Sequence, residues 1–228
     1  EKLENKLKNK TIINNASINS RDIKKNNIFF GIRGKKIDGN KFANEAIKNG
    51  ASVSIIDKNY GKGIIKKIKV KNTLKFFNEC AAKIRISSNI NAIGITGSAG
   101  KTSLKELLGQ SLKKIYKTTY SKKSFNNKYG VPVSLFNINK KDKFGIFEIG
   151  MDKKGEIDCL SKIIRPNIGV ITNISYAHSK NFNNLTGIAK AKSEIIDNIV
   201  ENGSLVLNAD DQFYNYFRLK AIKKNLKI

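Results

Sequence analysis

Apolar residues recur along the chain in two rhythms. Short apolar runs predict strands: "IFFGI" at 28–32, "SVSII" at 52–56, "GIIKKIKV" at 63–70, "AIGIT" at 92–96, "FGIFEIG" at 144–150, "IGVITNI" at 168–174 and "SLVLN" at 204–208. Between them, helical spacing predicts an amphipathic helix over 41–49 ending at Gly50, a second over 73–87, and others beginning at Lys101, Glu156 and about Thr186. Such alternation argues an α/β fold with mostly parallel sheets and helices on both faces. The polar stretch "SSNIN" separates the helix over 73–87 from the strand at 92–96. It sets an expected boundary at residue 88, between a small α/β domain (1–88) and a larger one (89–228). Ligands of open parallel sheets gather beyond the carboxyl ends of the strands. Gly97, Glu148, Asn173 and Asn208 fall at or just past such ends, so the pattern lets them converge on one crevice.

Composition narrows the class. A chain of 228 residues with 39% hydrophobic content can bury a proper core. No apolar run approaches the ~20 residues that span a bilayer, and "EKLENKLKNK" lacks the apolar centre of a signal peptide. The cytoplasm is therefore the expected compartment, with no membrane insertion and a monomer as the default. Cys80 and Cys159 have no metal-ligand spacing and read as reduced small hydrophobes. A net charge of +26 raises nucleic-acid binding as a question. The lysines are scattered among many Asn and Ile residues, a bias that an AT-rich coding sequence produces, and no aromatic-interleaved basic stripe appears. Weak adhesion at low salt is expected, and a dedicated nucleic-acid site is not.

The strongest chemical signal is "IGITGSAGKTSLKE", a strand running through a glycine turn into a helix. A turn of this kind leaves backbone N–H groups pointing into one space, which suits phosphate. The candidate nucleotide-binding residues are Thr96, Gly97, Ser98, Ala99, Gly100, Lys101, Thr102 and Ser103. Gly97 and Gly100 can adopt backbone angles closed to other residues, Lys101 supplies charge to the outer phosphates, and Thr102 offers a hydroxyl to Mg²⁺. The common form of the motif has a glycine where this chain has Ile95, so the match is to a variant. Glu148 ends an apolar strand where a carboxylate has no packing role, and beside Thr102 it would supply a hard oxygen to the same ion. Asp210 and Asp211, ahead of the last helix, read as N-terminal capping residues.

Read in order, "SRDIKKNNIFFGIRGKKIDGNKF", "GITGSAGKTSLKE", "SFNNKYGVPVSL", "FEIGMDKKGEI", "PNIGVITNISYAHSKNF", "AKAKSEI" and "LVLNADD" resemble the Mur ligases, ATP-dependent amide-bond-forming enzymes of peptidoglycan synthesis. The resemblance covers nearly the whole chain. It implies ATP and Mg²⁺ as cofactors, with Lys101, Glu148, His178 and Lys192 as catalytic residues. It also implies that Thr102, Glu148, His178 and a carbamylated Lys192 are metal ligands, and it places Asn208 at the base end of the nucleotide. Ser20 and Arg21 resemble residues that hold the UDP part of the precursor, although Asn19 and Asn40 stand where the family usually has Asp and His. Asn126 and Asn127 are expected at the muramoyl-peptide end.

"SFNNKYGVP" and "EIGMDKKGEI" are most similar to the members that complete the pentapeptide precursor, which implies UDP-N-acetylmuramoyl-tripeptide and D-alanyl-D-alanine as substrates. Two other readings stay open: a sister enzyme adding the third peptide residue or a folylpolyglutamate-type ligase, and a basic P-loop module that binds nucleic acid. Family members are about twice as long. The expectation is therefore a truncated central ATPase domain and an absent C-terminal acceptor domain, leaving a chain that binds nucleotide without completing ligation alone.

Overall fold

Four short strands, β1 (Asn15–Ser17), β2 (Asn27–Phe30), β3 (Val53–Asp57) and β4 (Lys67–Val70), pair in parallel and lie side by side in chain order. The computed structural model describes residues 15–60, 63, 66–176 and 181–228. All four residues of β2 are buried, as expected of a parallel strand covered on both faces. Helix α1 (Ala43–Lys48) lays Ala43 and Ala46 against Phe29 and Ile56, small side chains that let helix and sheet approach closely. The helix expected over 41–49 is shorter because its entry is a 3-10 turn, Gly39–Phe42, whose cap is Asp38 accepting from the Asn40 N–H. A Cβ on Gly39 would stand 2.5 Å from the Ile32 carbonyl oxygen, so only glycine allows the turn to fold onto the end of β2.

Helix α2 (Thr73–Ser87) follows, and the chain divides into two compact units between Ala81 and Ala82, inside this helix. The second unit holds a five-stranded parallel sheet in the order β6-β7-β5-β8-β9. Its strands are β5 (Asn91–Thr96), β6 (Thr118–Tyr120), β7 (Phe144–Glu148), β8 (Ile168–Ile171) and β9 (Ser204–Leu207). Helix α3 (Lys101–Lys113) packs Leu104, Leu108 and Leu112 over Ile93, Ile95, Ile146 and Val170. On the other side of β5, Gly94 leaves room for Ile149, Ile195 and Pro166, each 3.3 Å from where its Cβ would be. The remaining helices are α4 (Gly130–Phe136), α5 (Glu156–Ile164), α6 (Leu185–Lys192), α7 (Glu194–Asp197) and α8 (Tyr214–Lys223).

Buried Arg85 and half-buried Glu194 help to fix this unit. Arg85 donates to the carbonyls of Ile164 (2.7 Å) and Arg165 (3.0 Å) and to Asn167 Oδ1 (2.9 Å), tying the end of α2 to the entry of β8. Glu194 accepts from the N–H groups of Gly155 (2.8 Å) and Asp158 (3.1 Å), placing a carboxylate on the otherwise unpaired first turn of α5.

The strand order changes direction around β5. The chain leaves β5 for the edge strand β6, returns through β7, then crosses to β8 and β9. The carboxyl ends of β7, β5 and β8 therefore stand side by side at a topological switch point.

Candidate nucleotide and metal site

The turn after β5 is held in shape by glycine geometry. Gly97 has φ +142° and Gly100, capping α3, has φ +79°. A Cβ on Gly97 would lie 1.9 Å from Thr172 Oγ1, while one on Gly100 would meet nothing within 4 Å. Gly97 is thus required by its neighbour as well as by its backbone, and Gly100 faces open space at the helix N-terminus.

Lys101 curls back over the turn and donates from Nζ to the carbonyls of Gly97 (2.8 Å) and Ser98 (3.1 Å). Lys192, from the end of α6, is only 2% exposed and donates to the same Gly97 carbonyl at 2.8 Å. Two lysine nitrogens therefore share one acceptor. Burial, with the Lys101 charge beside it, pushes Lys192 down to about 7. Burial also lowers Lys101, with the nearby Glu148 acting in the opposite sense.

Glu148, at the end of β7, is 1% exposed. One of its oxygens accepts from Thr102 Oγ1 (2.8 Å) and the other from Asn126 Nδ2 (2.8 Å), both neutral donors. Among the described residues no ion pair holds this carboxylate. A buried carboxylate beside a hydroxyl offers hard oxygens that suit Mg²⁺, with Thr102 and Glu148 as the groups that would hold the ion. Among the described residues no group of three His, Cys, Asp or Glu side chains forms a closed metal cage, so an ion here would draw on solvent or phosphate oxygens as well.

From β8, the segment after Ile171 wraps the turn. Thr172 Oγ1 donates to the Ala99 carbonyl (2.6 Å), and the Asn173 carbonyl accepts from the Ser98 N–H (2.9 Å). The Asn173 side chain meets Ala99 twice, Oδ1 accepting from its N–H (3.1 Å) and Nδ2 donating to its carbonyl (3.2 Å). Ser98 Oγ accepts from the Ser175 N–H (2.9 Å) and donates to its carbonyl (3.0 Å).

The residues expected from sequence fall into three groups. Gly97 to Thr102, Glu148 and Lys192 come together at the ends of β5, β7 and α6. Asn126 meets Glu148, and Asn127 caps the entry to α4 through the N–H groups of Tyr129 and Gly130, both at 3.0 Å. Asn208 is exposed beyond β9, its side chain accepting from the Asp210 N–H. Ser103 lies exposed on the first turn of α3. His178 lies outside the described residues. In the first unit Arg21 is exposed, whereas Ser20 is buried, its hydroxyl donating to Glu45 and its carbonyl accepting from Asn49.

The structure adds residues that sequence reading left without a role. Lys105, 0% exposed on α3, donates to the Lys123 carbonyl and pairs with Glu106 at 2.9 Å. It thereby anchors the loop that carries Asn126, and only its spacing from Lys101 on one helix face hinted at it. Asp211, expected as a local cap, accepts from the Phe213 N–H (2.9 Å) and also from the Ile174 N–H (2.7 Å), so it pins the β8 segment as well.

Comparison with known proteins agrees with this geometry. A UDP-N-acetylmuramoyl-tripeptide–D-alanyl-D-alanine ligase from Buchnera aphidicola is 37% identical over 215 residues, covering 94% of this chain and 46% of the relative. The crystal structure of MurF from Acinetobacter baumannii superposes with a TM-score of 0.86 at 31% identity, covering 95% of this chain and 47% of that one. MurF ligase from Thermotoga maritima, solved in complex with ADP, gives a TM-score of 0.82 at 27% identity, covering 97% and 50%. This chain spans about half the length of the curated relatives it matches. The Mur ligase catalytic-domain family matches residues 12–85 and the Mur ligase middle domain matches residues 95–228. With two family domains matched in order, and the glycine turn and buried glutamate inside the second, the chain belongs to the Mur ligase family.

Proposed function

We propose that this chain serves ATP-dependent amide-bond formation in peptidoglycan precursor synthesis, the joining of D-alanyl-D-alanine to UDP-N-acetylmuramoyl-tripeptide. The observation that carries the reading is the juxtaposition of Thr102, Glu148 and Lys101 at the glycine turn, in a chain whose relatives bear that name. In this reading the terminal carboxylate of the precursor attacks the γ-phosphorus of ATP and ADP leaves. The resulting acyl phosphate is captured by the amine of the dipeptide with loss of phosphate. Backbone N–H groups at Gly100 and Lys101 receive phosphate oxygens, and Lys101 exchanges its carbonyl acceptors for them. Thr102 and Glu148 would hold Mg²⁺, which would supply charge neutralisation on the phosphates. The first unit is the part that holds the UDP end of the precursor, with exposed Arg21 available to it and buried Ser20 supporting the turn.

The burial of Lys192 beside Lys101 supports a carbamate on this side chain. A lysine pushed down to about 7 presents a sizeable fraction of free amine at neutral pH, the form that adds CO₂ with release of one proton to give an anionic carbamate. Such an anion would relieve the crowding of two cations on the Gly97 carbonyl.

Calorimetric titration with ATP and Mg²⁺ tests the core of the reading. Lys101→Ala should weaken binding at least tenfold in a folded chain, and unchanged affinity would remove the turn from nucleotide binding. Titration with UDP-N-acetylmuramoyl-tripeptide, compared with UDP alone, tests the precursor assignment.

A further inference from the structure

We infer that the segment Thr172–Ser175 is a clamp that sets the shape of the glycine turn, and that Asn173 is its positioning residue. The inference rests on the nucleotide reading above and adds to it a residue that does not itself hold metal or supply charge.

The Asn173 carboxamide matches both backbone polar groups of one turn residue, because its oxygen accepts the Ala99 N–H while its nitrogen donates to the Ala99 carbonyl. A flipped amide would set N–H against N–H and carbonyl against carbonyl, so the orientation is dictated by its partner. Thr172 reinforces the same carbonyl, and Ser98 and Ser175 exchange a reciprocal pair of bonds. The turn is thus gripped on Ser98 and Ala99 from β8, while Gly100 and the start of α3 are left facing open space.

The clamp is itself braced. Asp211 uses one oxygen on Ile174, inside the segment, and the other on Phe213 at the entry to α8. This bracing carries the hold from β9 through β8 to β5. A loop fixed before the anion arrives does not have to be ordered by it, so the grip should appear as nucleotide affinity.

The side chain belongs to Asn for a physical reason. Alanine would leave the Ala99 N–H and carbonyl with one partner fewer each. Aspartate keeps the acceptor but loses the donor and sets a negative charge beside the phosphate nest.

Calorimetry of the full 228-residue chain with ATP, with tripolyphosphate and with adenosine, each with Mg²⁺, separates the possibilities. Asn173→Ala should weaken ATP and tripolyphosphate by the same factor, about tenfold, as expected for two lost hydrogen bonds. Adenosine affinity and the thermal midpoint of the ligand-free chain should move little. Asn173→Asp, nearly isosteric and therefore a control on folding, should lose at least as much. Asp211→Ala should reproduce part of the loss from a distance. Wild-type affinity for tripolyphosphate in both Asn173 variants overturns the clamp, as does an equal loss for adenosine, which would mark a general structural fault. A wild-type chain that binds neither ATP nor tripolyphosphate fails the nucleotide reading instead, a distinguishable result.

Discussion

The two parallel sheets use the polar residues at their carboxyl ends for opposite purposes. In the first unit the strands lie in chain order, β1-β2-β3-β4, and the polar groups at the ends of β2 and β3 bind one another. Asn40, 0% exposed, donates to Asp38 (2.7 Å) and Asp57 (3.1 Å) and accepts from the Asp57 N–H (2.9 Å). Asp57 also accepts from the N–H and hydroxyl of Thr73. In the second unit the order reverses around β5, and the groups at the strand ends leave an anion-ready turn open. A parallel sheet does not by itself make a crevice at its strand ends; the reversal of strand order, with glycine where a side chain would collide, does.

The largest effect that would break this contrast is expected at Gly97. Gly97→Ala combines φ +142° with a Cβ 1.9 Å from Thr172 Oγ1. It should abolish measurable ATP binding, a loss of at least about a hundredfold, and lower stability by about 3 kcal/mol. Gly100→Ala meets only the backbone strain at φ +79° and should cost about 1 kcal/mol. Similar losses in both variants, read from urea midpoints and ATP titrations, would show that packing against Thr172 does not matter.

Next in size is the polar network of the first unit. Asn40→Ala leaves the Asp57 N–H without its side-chain acceptor and takes one donor each from Asp38 and Asp57, which keep the Asn40 N–H and Thr73 respectively, and should destabilise by about 3 kcal/mol in urea unfolding. ATP affinity should stay at the wild-type value, because the network serves structure alone.

Much of this contrast was legible in the sequence. The apolar runs placed β2, β3, β4, β5, β7, β8 and β9; central strands such as β5 are covered on both faces and apolar nearly throughout, whereas edge strand β9 leaves Val206 exposed. β1 ("NAS") and β6 ("TTY") escaped notice, since three-residue edge strands carry too few apolar positions to show a period. α4, in "GVPVSLF", is not among the elements that the apolar pattern predicts, because it is short and contains glycine and proline, although Pro132 sits in the first turn where its missing N–H does no harm. The glycine turn and Glu148 were readable from residue type and position at a strand end. Asn173 as a clamp, Lys105 as a loop anchor and Asp211 as a brace were not. Each acts on a residue distant in the chain, and no local spacing encodes such a pairing.

A smaller effect follows from the buried amine of Lys192. An unfolded lysine titrates near 10.4, and in the fold Lys192 is pushed down to about 7. Between those values the unfolded chain binds more protons, so stability should rise with pH across the window, and below about 7 the full penalty applies. Lys192→Met should flatten this rise and stabilise the ligand-free chain at pH 6.5 by about 2 kcal/mol, since Lys101 still serves the Gly97 carbonyl. Urea midpoints at pH 6.5 and 9 check the sign. A variant less stable at the lower pH would mean that the buried ammonium is held by a stronger partner than that carbonyl.

The smallest effect distinguishes two roles for Asn126, the substrate contact expected from sequence and the support for Glu148 seen in the structure. Asn126 Nδ2 donates to Glu148 Oε1, its carbonyl accepts from the Gly150 N–H, and a Cβ on Gly150 would stand 2.9 Å from the Asn126 carboxamide carbon. The side chain is therefore packed against the exit of β7, where it can aim the carboxylate. A residue that orients a metal ligand typically changes metal affinity about tenfold when removed. Asn126→Ala should accordingly raise the Mg²⁺ concentration needed for half-maximal ATP binding by about that factor, with calorimetry run at a series of Mg²⁺ concentrations. Asn126→Asp, which sets a second carboxylate against Glu148, should shift the same requirement and add a dependence on pH below 7. Affinity for UDP-N-acetylmuramoyl-tripeptide should be unchanged in the alanine variant. Loss of precursor affinity at a normal Mg²⁺ requirement would return Asn126 to the substrate and leave Thr102 to orient Glu148.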